Sequence, residues 1–140
     1  MDRLKLVSDI MTREVITLSE EDNLSGVSDG MEHFQFRHLP IVDGKRLIGL
    51  ITHQDLLRVA ASTLEPASGN KTKAFNERLF ARDVMQRDVV TVREDTMVVD
   101  AARLMWDKKI GCLPVVEDGN RLVGIVTEAD FVLLAIRFLG

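Results

Sequence analysis

Apolar and polar positions follow two rhythms along the chain, and the ordered set of rhythms occurs twice. "EVITL" (14–18) is a short run rich in β-branched residues and predicts a strand, as does "DVVTV" (88–92). After the first run, Leu24, Val27, Met31 and Phe34 fall three and four residues apart, the spacing of one apolar helix face. After the second, Val98, Ala101 and Met105 repeat that spacing. Lys108 ends the stripe, where a cation complements the helix macrodipole. "LPIV" and "LPVV" come next, and a proline there predicts a strand start or an edge strand. "VDGKRLIGLI" and "VEDGNRLVGIV" predict hairpins, each with an apolar run on both sides of a Gly-containing turn. The closing segments "HQDLLRVAAS" and "EADFVLLAIRFL" predict helices. The second is apolar on nearly every side from Phe131 to Leu139, which predicts burial in the core or in an interface. Each passage therefore reads strand, helix, strand, strand, helix.

The duplication holds residue by residue. Asp9, Met11, Arg13, Val15, Thr17 and Glu20 match Asp83, Met85, Arg87, Val89, Thr91 and Glu94. Leu39-Pro40 matches Leu113-Pro114, and Val42 matches Val116. Past one inserted residue, Asp118, the matches resume: Gly44, Arg46, Leu47, Gly49, Thr52 and Asp55 correspond to Gly119, Arg121, Leu122, Gly124, Thr127 and Asp130. The first unit is placed at 7–61 and the second at 79–139. Residues 62–78, with Pro66, Gly69 and Asn70, have the composition of a linker. A unit of about 60 residues is marginal as a domain of its own. Two units packed with pseudo-two-fold symmetry would share a core as one domain.

Composition narrows the function. The 140 residues are 46% hydrophobic and 29% charged, with a formal net charge of −4. That mild acidity gives no basic stripe for nucleic acid. No apolar stretch approaches the roughly 20 residues of a membrane span. The single cysteine, Cys112, rules out an internal disulfide and fits a reducing compartment. "MDRLKLVSDIM" lacks the apolar run of a signal peptide, so a cytoplasmic protein is expected. No paired-carboxylate motif, nucleophile with its base or Walker-type loop occurs, so no catalytic residue is assigned and no enzyme is expected. His33, His38 and His53 lack metal-ligand spacing, so no metal site is assigned either.

The doubled set "DIM…VITL…HLPIVD…GLITHQDLL" and "DVM…VVTV…CLPVVE…GIVTEADFV" resembles a tandem pair of CBS domains. The likeness covers nearly the whole chain outside the linker. It implies an α/β (α+β) fold of two βαββα CBS units, packed into one Bateman-type module with two clefts related by a pseudo-dyad. It further implies a regulatory module that binds an adenosine-containing ligand such as AMP, ADP, ATP, NAD or S-adenosylmethionine, with no required cofactor. Such pairs often form a homodimer, a disc of four CBS units, and regulate an effector protein. No effector domain accompanies the two units, so the chain reads as a stand-alone pair.

Thr52-x-x-Asp55 and Thr127-x-x-Asp130 fall where a strand turns into a helix. By itself this pattern fits a capping box, the Thr hydroxyl accepting one amide and the carboxylate another. It equally fits a ligand site. A helix N-terminus favours phosphate, and a carboxylate accepts both hydroxyls of a ribose. The resemblance implies that Asp holds the ribose, that Thr helps hold phosphate, and that the backbone at Thr17-Leu18 or Thr91-Val92 lies along the adenine. The expected first cleft comprises Thr17, Leu18, Arg37, His38, Pro40, Thr52, His53 and Asp55. The expected second comprises Thr91, Val92, Cys112, Pro114, Thr127 and Asp130.

Relatives carry phosphate-binding cations where this chain has Arg37-His38 and Gly111-Cys112. The first cleft therefore looks suited to a charged nucleotide. The second, with Glu128 after Thr127, looks suited to a less charged adenosyl ligand or to none. A solvated helix end accounts for Arg37-His38 equally well. A buried, inert thiol is the default for Cys112, and Trp106 is a candidate for a dimer surface. The competing reading is a ligand-free structural or dimerisation module, favoured by the apolar last helix and the missing cations of the second cleft.

Overall fold

The computed structural model describes residues 5–62 and 79–140, so the expected linker lies outside the described residues from position 63 to its end. Both predicted hairpins form. β1 (His38–Asp43) pairs antiparallel with β2 (Arg46–Thr52), and β3 (Cys112–Glu117) pairs with β4 (Arg121–Thr127). The inserted Asp118 is absorbed by the turn. Gly44 takes a left-handed φ of 63° in the first turn, while Gly119 and Asn120 take 78° and 61° in the longer second one. The pairing on either side keeps step, with Val42 opposite Leu47 and Val116 opposite Leu122.

The remaining elements are helices: α1 (Val7–Ile10), α2 (Val27–Phe34), α3 (His53–Ser62), α4 (Ala81–Val84), α5 (Val98–Lys108) and α6 (Glu128–Leu139). The chain divides into two compact units. One is Ile16–Val89; the other joins Val90–Gly140 to the N-terminal segment that ends at Val15. Each unit thus takes a short helix and the residues after it from the opposite repeat. The helix α4 and Met85 pack with Leu24, Met31, Leu39, Ile41, Ile51 and Leu56 in the Ile16–Val89 unit. Val7 of α1 packs with Val92, Ala101, Met105, Leu113, Val115 and Val126 in the other.

Two expectations change. The strands expected at "EVITL" and "DVVTV" shrink to single parallel bridges, Leu18 to Ile41 and Val92 to Val115. Leu18 N–H donates to Pro40 O at 3.1 Å, and Val42 N–H donates to Leu18 O at 2.8 Å. The next rung of a parallel ladder would require an N–H from Pro40, which has none. Pro114 stops the Val92 ladder in the same way, after Val92 N–H donates to its carbonyl at 3.1 Å. The prolines therefore sit inside β1 and β3 because this side of the strand uses only their carbonyls.

The apolar helix faces are also less complete than their spacing predicts. Met31 is buried, but Leu24 lies ahead of α2 and Phe34, at its end, is 68% exposed. In α5, Val98, Ala101 and Met105 are all buried as expected. No residue of the helix α6 is fully buried: Phe131 packs half-buried against the core, while Val132, Leu133, Ile136 and Leu139 are exposed.

Each hairpin is flanked on its second strand by the segment from the other repeat. Leu50 and Gln86 exchange two backbone hydrogen bonds at 3.0 and 2.9 Å, and Ile125 and Thr12 do the same at 2.9 Å each. This close approach explains the repeated glycine in β2 and β4. A Cβ on Gly124 would stand 2.8 Å from the Thr12 carbonyl oxygen, a backbone atom. On Gly49 the nearest atoms belong to the flexible Met85 side chain, with Gln86 O at 3.1 Å. Gly124→Ala is therefore expected to destabilise the chain by about 2 kcal/mol, and Gly49→Ala by less, in urea melts of the two variants. Equal costs would show that Met85 cannot yield.

Candidate functional site

In the Ile16–Val89 unit the expected first-site residues gather around the end of the hairpin. His38 of β1 lies opposite Thr52 of β2. Thr52 ends β2, and His53 begins α3 with its N–H donating to Arg37 O at 2.8 Å. Leu18 hydrogen-bonds to Pro40 O, which sets Thr17 and Leu18 beside β1. Thr17, Leu18, His38, Thr52 and His53 are half-buried, Pro40 is buried and Arg37 is exposed. His53 Nε2 is shielded from solvent, makes no hydrogen bond among the described residues, and lies 3.9 Å from Glu32 Oε1.

The capping box forms. Asp55 N–H donates to Thr52 Oγ1 at 3.2 Å, and Thr52 N–H donates to Asp55 Oδ2 at 2.9 Å. Asp55 is also only 7% exposed, the one buried polar or charged side chain among the described residues. Burial of a carboxylate demands partners, and two long-range or neighbouring donors supply them. Arg58 Nη2 reaches Oδ1 at 2.6 Å, and Gln86 Nε2 reaches Oδ1 and Oδ2 at 3.0 and 3.1 Å.

The other unit repeats the scaffold with different chemistry. Cys112 lies opposite Thr127, and Val92 N–H reaches Pro114 O. Glu128 N–H donates to Gly111 O at 3.3 Å, the counterpart of His53 to Arg37. Thr127 N–H donates to Asp130 Oδ2 at 2.8 Å, and Thr12 Oγ1 donates to Asp130 Oδ1 at 3.1 Å. Asp130 is half-buried and Thr12 is exposed. The position matching Arg58 holds Leu133. Cys112 and Pro114 are buried, and burial pushes the Cys112 thiol up to about 12.

All fourteen expected residues thus fall into two clusters, each within one compact unit. Three residues that position the carboxylates were not anticipated: Arg58, Gln86 and Thr12. Gln86 and Thr12 occupy matching places after Met85 and Met11. Only the docking of each segment against the opposite repeat's hairpin brings them to the carboxylates. Among the described residues, no group of three or more His, Cys, Asp or Glu is placed to hold a metal ion. No helix among them is long and apolar enough to cross a membrane.

The family model for the CBS domain matches residues 7–62 and again 81–136. The chain belongs to the CBS-domain family. Solved CBS structures share its architecture. The Vibrio cholerae protein named AcuB is 36% identical with a TM-score of 0.81, covering 96% of this chain and 92% of that one. The CBS domain pair of protein MJ0100, solved with 5′-methylthioadenosine and S-adenosyl-L-methionine, is 31% identical with a TM-score of 0.78, over 96% and 98%. CBSX2, solved with AMP, is 25% identical with a TM-score of 0.80, over 96% and 98%. The chain spans a smaller share of the curated relatives it matches. It covers 47% of a Methanocaldococcus jannaschii protein and 23% of that organism's inosine-5′-monophosphate dehydrogenase, each 34% identical to it.

Proposed function

We propose that the chain is a regulatory CBS pair that binds an adenosine-containing ligand and passes its occupancy to a partner protein. One observation carries the reading. In each unit an extended strip of backbone, at Thr17-Leu18 or Thr91-Val92, lies beside a hairpin. That hairpin ends in a Thr-capped helix with a fixed carboxylate, Asp55 or Asp130. This arrangement offers backbone for a base, a carboxylate for a ribose diol, and the positive end of a helix dipole for phosphate. The ligands of the MJ0100 pair and of CBSX2 support the adenosyl class. Within it, AMP, ADP, ATP, NAD and S-adenosylmethionine are the candidates. The module acts without catalysis, in the cytoplasm, where a lone buried thiol stays reduced. It works as a homodimer, for which the exposed apolar face of α6 supports an interface.

A second reading, a ligand-free dimerisation module, draws on that same α6 face and on the saturation of Asp55 by protein donors. Thermal melting separates the two. AMP, ADP, ATP, NAD and S-adenosylmethionine are tested, with GMP as the base control. An adenosyl ligand at 100 times its dissociation constant is expected to add about 2.7 kcal/mol. This is a rise of roughly 5–10 °C for a chain of this size, and GMP should add none. A flat panel on a chain that sediments as a dimer would replace the sensor with the dimerisation module.

A further inference from the structure

The repeat makes the two carboxylates equivalent in sequence, yet their surroundings are not equivalent. A carboxylate offers about four lone-pair sites. At Asp55 four contacts fill them: Thr52 N–H and Gln86 Nε2 on Oδ2, and Arg58 Nη2 and Gln86 Nε2 on Oδ1. At Asp130 the described residues make two contacts, Thr127 N–H on Oδ2 and Thr12 Oγ1 on Oδ1. Each Asp130 oxygen therefore keeps a place for one more donor, which is what the two hydroxyls of a ribose supply. Charge points the same way. The Arg58 contact, at 2.6 Å, is a charge-assisted bond to a buried oxygen, whereas Leu133 holds the matching place beside Asp130.

We infer that Asp130 is the open diol acceptor of this chain, and that Arg58 and Gln86 keep the Asp55 site shut by occupying the places a ribose would take. This rests on the adenosyl-sensor reading and deepens it. It also reverses the ranking that Arg37 and His38 suggest. Those residues bear on phosphate, while the ribose anchor nearby is already engaged.

The inference is tested by isothermal titration of the full chain with AMP and, in parallel, with S-adenosylmethionine. Four proteins are compared: the parent, Asp55→Asn, Asp130→Asn, and the exchange variant Arg58→Leu/Gln86→Thr, which copies the Asp130 surroundings onto Asp55. The parent is expected to bind one molecule per chain. Asp130→Asn should weaken that binding about 100-fold, the loss of two hydrogen bonds to a charged group. Asp55→Asn should leave it in place, and the exchange variant should bind two molecules per chain. Asparagine preserves an acceptor for the cap, and melting curves check that each variant is folded. Two molecules bound by the parent would overturn the inference and leave the sensor reading standing, as would loss of binding in Asp55→Asn with retention in Asp130→Asn. Loss of affinity in the exchange variant would do likewise, by making Arg58 a ligand contact. No binding of either ligand by any variant would overturn the sensor reading itself and this inference with it.

Discussion

Cys112 is expected to react with iodoacetamide at pH 8 about 1000-fold more slowly in the folded chain than in denaturant. The thiolate is the nucleophile, and burial raises the folded thiol from 9.0 to about 12, which lowers the thiolate fraction about 1000-fold at that pH. The cause is desolvation: the side chain is 4% exposed, at the start of β3 opposite Thr127. The same shift fixes the sign of a pH dependence. Between about pH 9 and 12 the unfolded chain has released this proton and the folded chain has kept it, so stability falls as pH rises. The slope approaches about 1.4 kcal/mol per pH unit and vanishes below pH 9. Serine at position 112 should flatten this part of the profile. Comparable alkylation rates in the folded and unfolded states would place the thiol at the surface, where it could face a ligand directly.

That outcome bears on how the site was legible. The hairpins, the α5 face and both Thr-x-x-Asp caps follow from local pattern, because period, turn residues and capping are properties of neighbours along the chain. Cys112 lies next to a predicted site strand, and proximity in sequence made it a site candidate. Alternation sets its side chain on the face of β3 opposite the core residues Leu113 and Val115, and that face is buried as well. The first strands failed for a reason written in the sequence but visible only with the pairing known: Pro40 and Pro114 withhold the N–H that a second rung needs. Phe34 fits the helical spacing and is still exposed, since α2 is barely two turns long and Phe34 is its last residue.

The partners of the two carboxylates were the least legible part. Gln86 reaches Asp55 across 31 residues, and Thr12 reaches Asp130 across 118. Nothing in a linear pattern states that each repeat lends its first turn to the other's hairpin. Val7, Met11, Ala81 and Met85 are apolar. Their apolar character says that they are buried, but not against which strands.

Alanine at Leu113, and separately at Leu39, is expected to cost about 3 kcal/mol of unfolding free energy. These repeat-related leucines are 0% and 2% exposed, each at the centre of one unit's core. Each truncation removes the transfer free energy of the lost methyl groups. It also leaves a cavity walled on one side by strand residues such as Val115 and Val126, or Ile41 and Ile51, which ladder hydrogen bonds hold in place, and on the other by helix residues such as Ala101 and Met105, or Met31. With a urea slope of about 2 kcal/mol/M, the midpoint should fall by about 1.5 M. Trp106 is the chain's one tryptophan and lies in α5, in the unit that Leu113 anchors. It is already 74% exposed in the folded chain, so its emission changes little on unfolding and far-UV circular dichroism follows both variants. Leu113→Met, which keeps the volume, should cost less than about 1.5 kcal/mol. A loss below about 1 kcal/mol for Leu113→Ala would mean that the walls collapse onto the vacancy. The lent residue Val7, which packs in the same cluster, would be the first candidate to move. Its segment is tied by separate backbone bonds, Val7 N–H to Thr96 O, Ser8 N–H to Glu94 O and the Thr12–Ile125 pair, rather than by a continuous ladder, and can shift more easily than a paired strand. The size of the alanine effect therefore measures how firmly the crossed-over turn is seated, and with it how firmly Thr12 is held against Asp130.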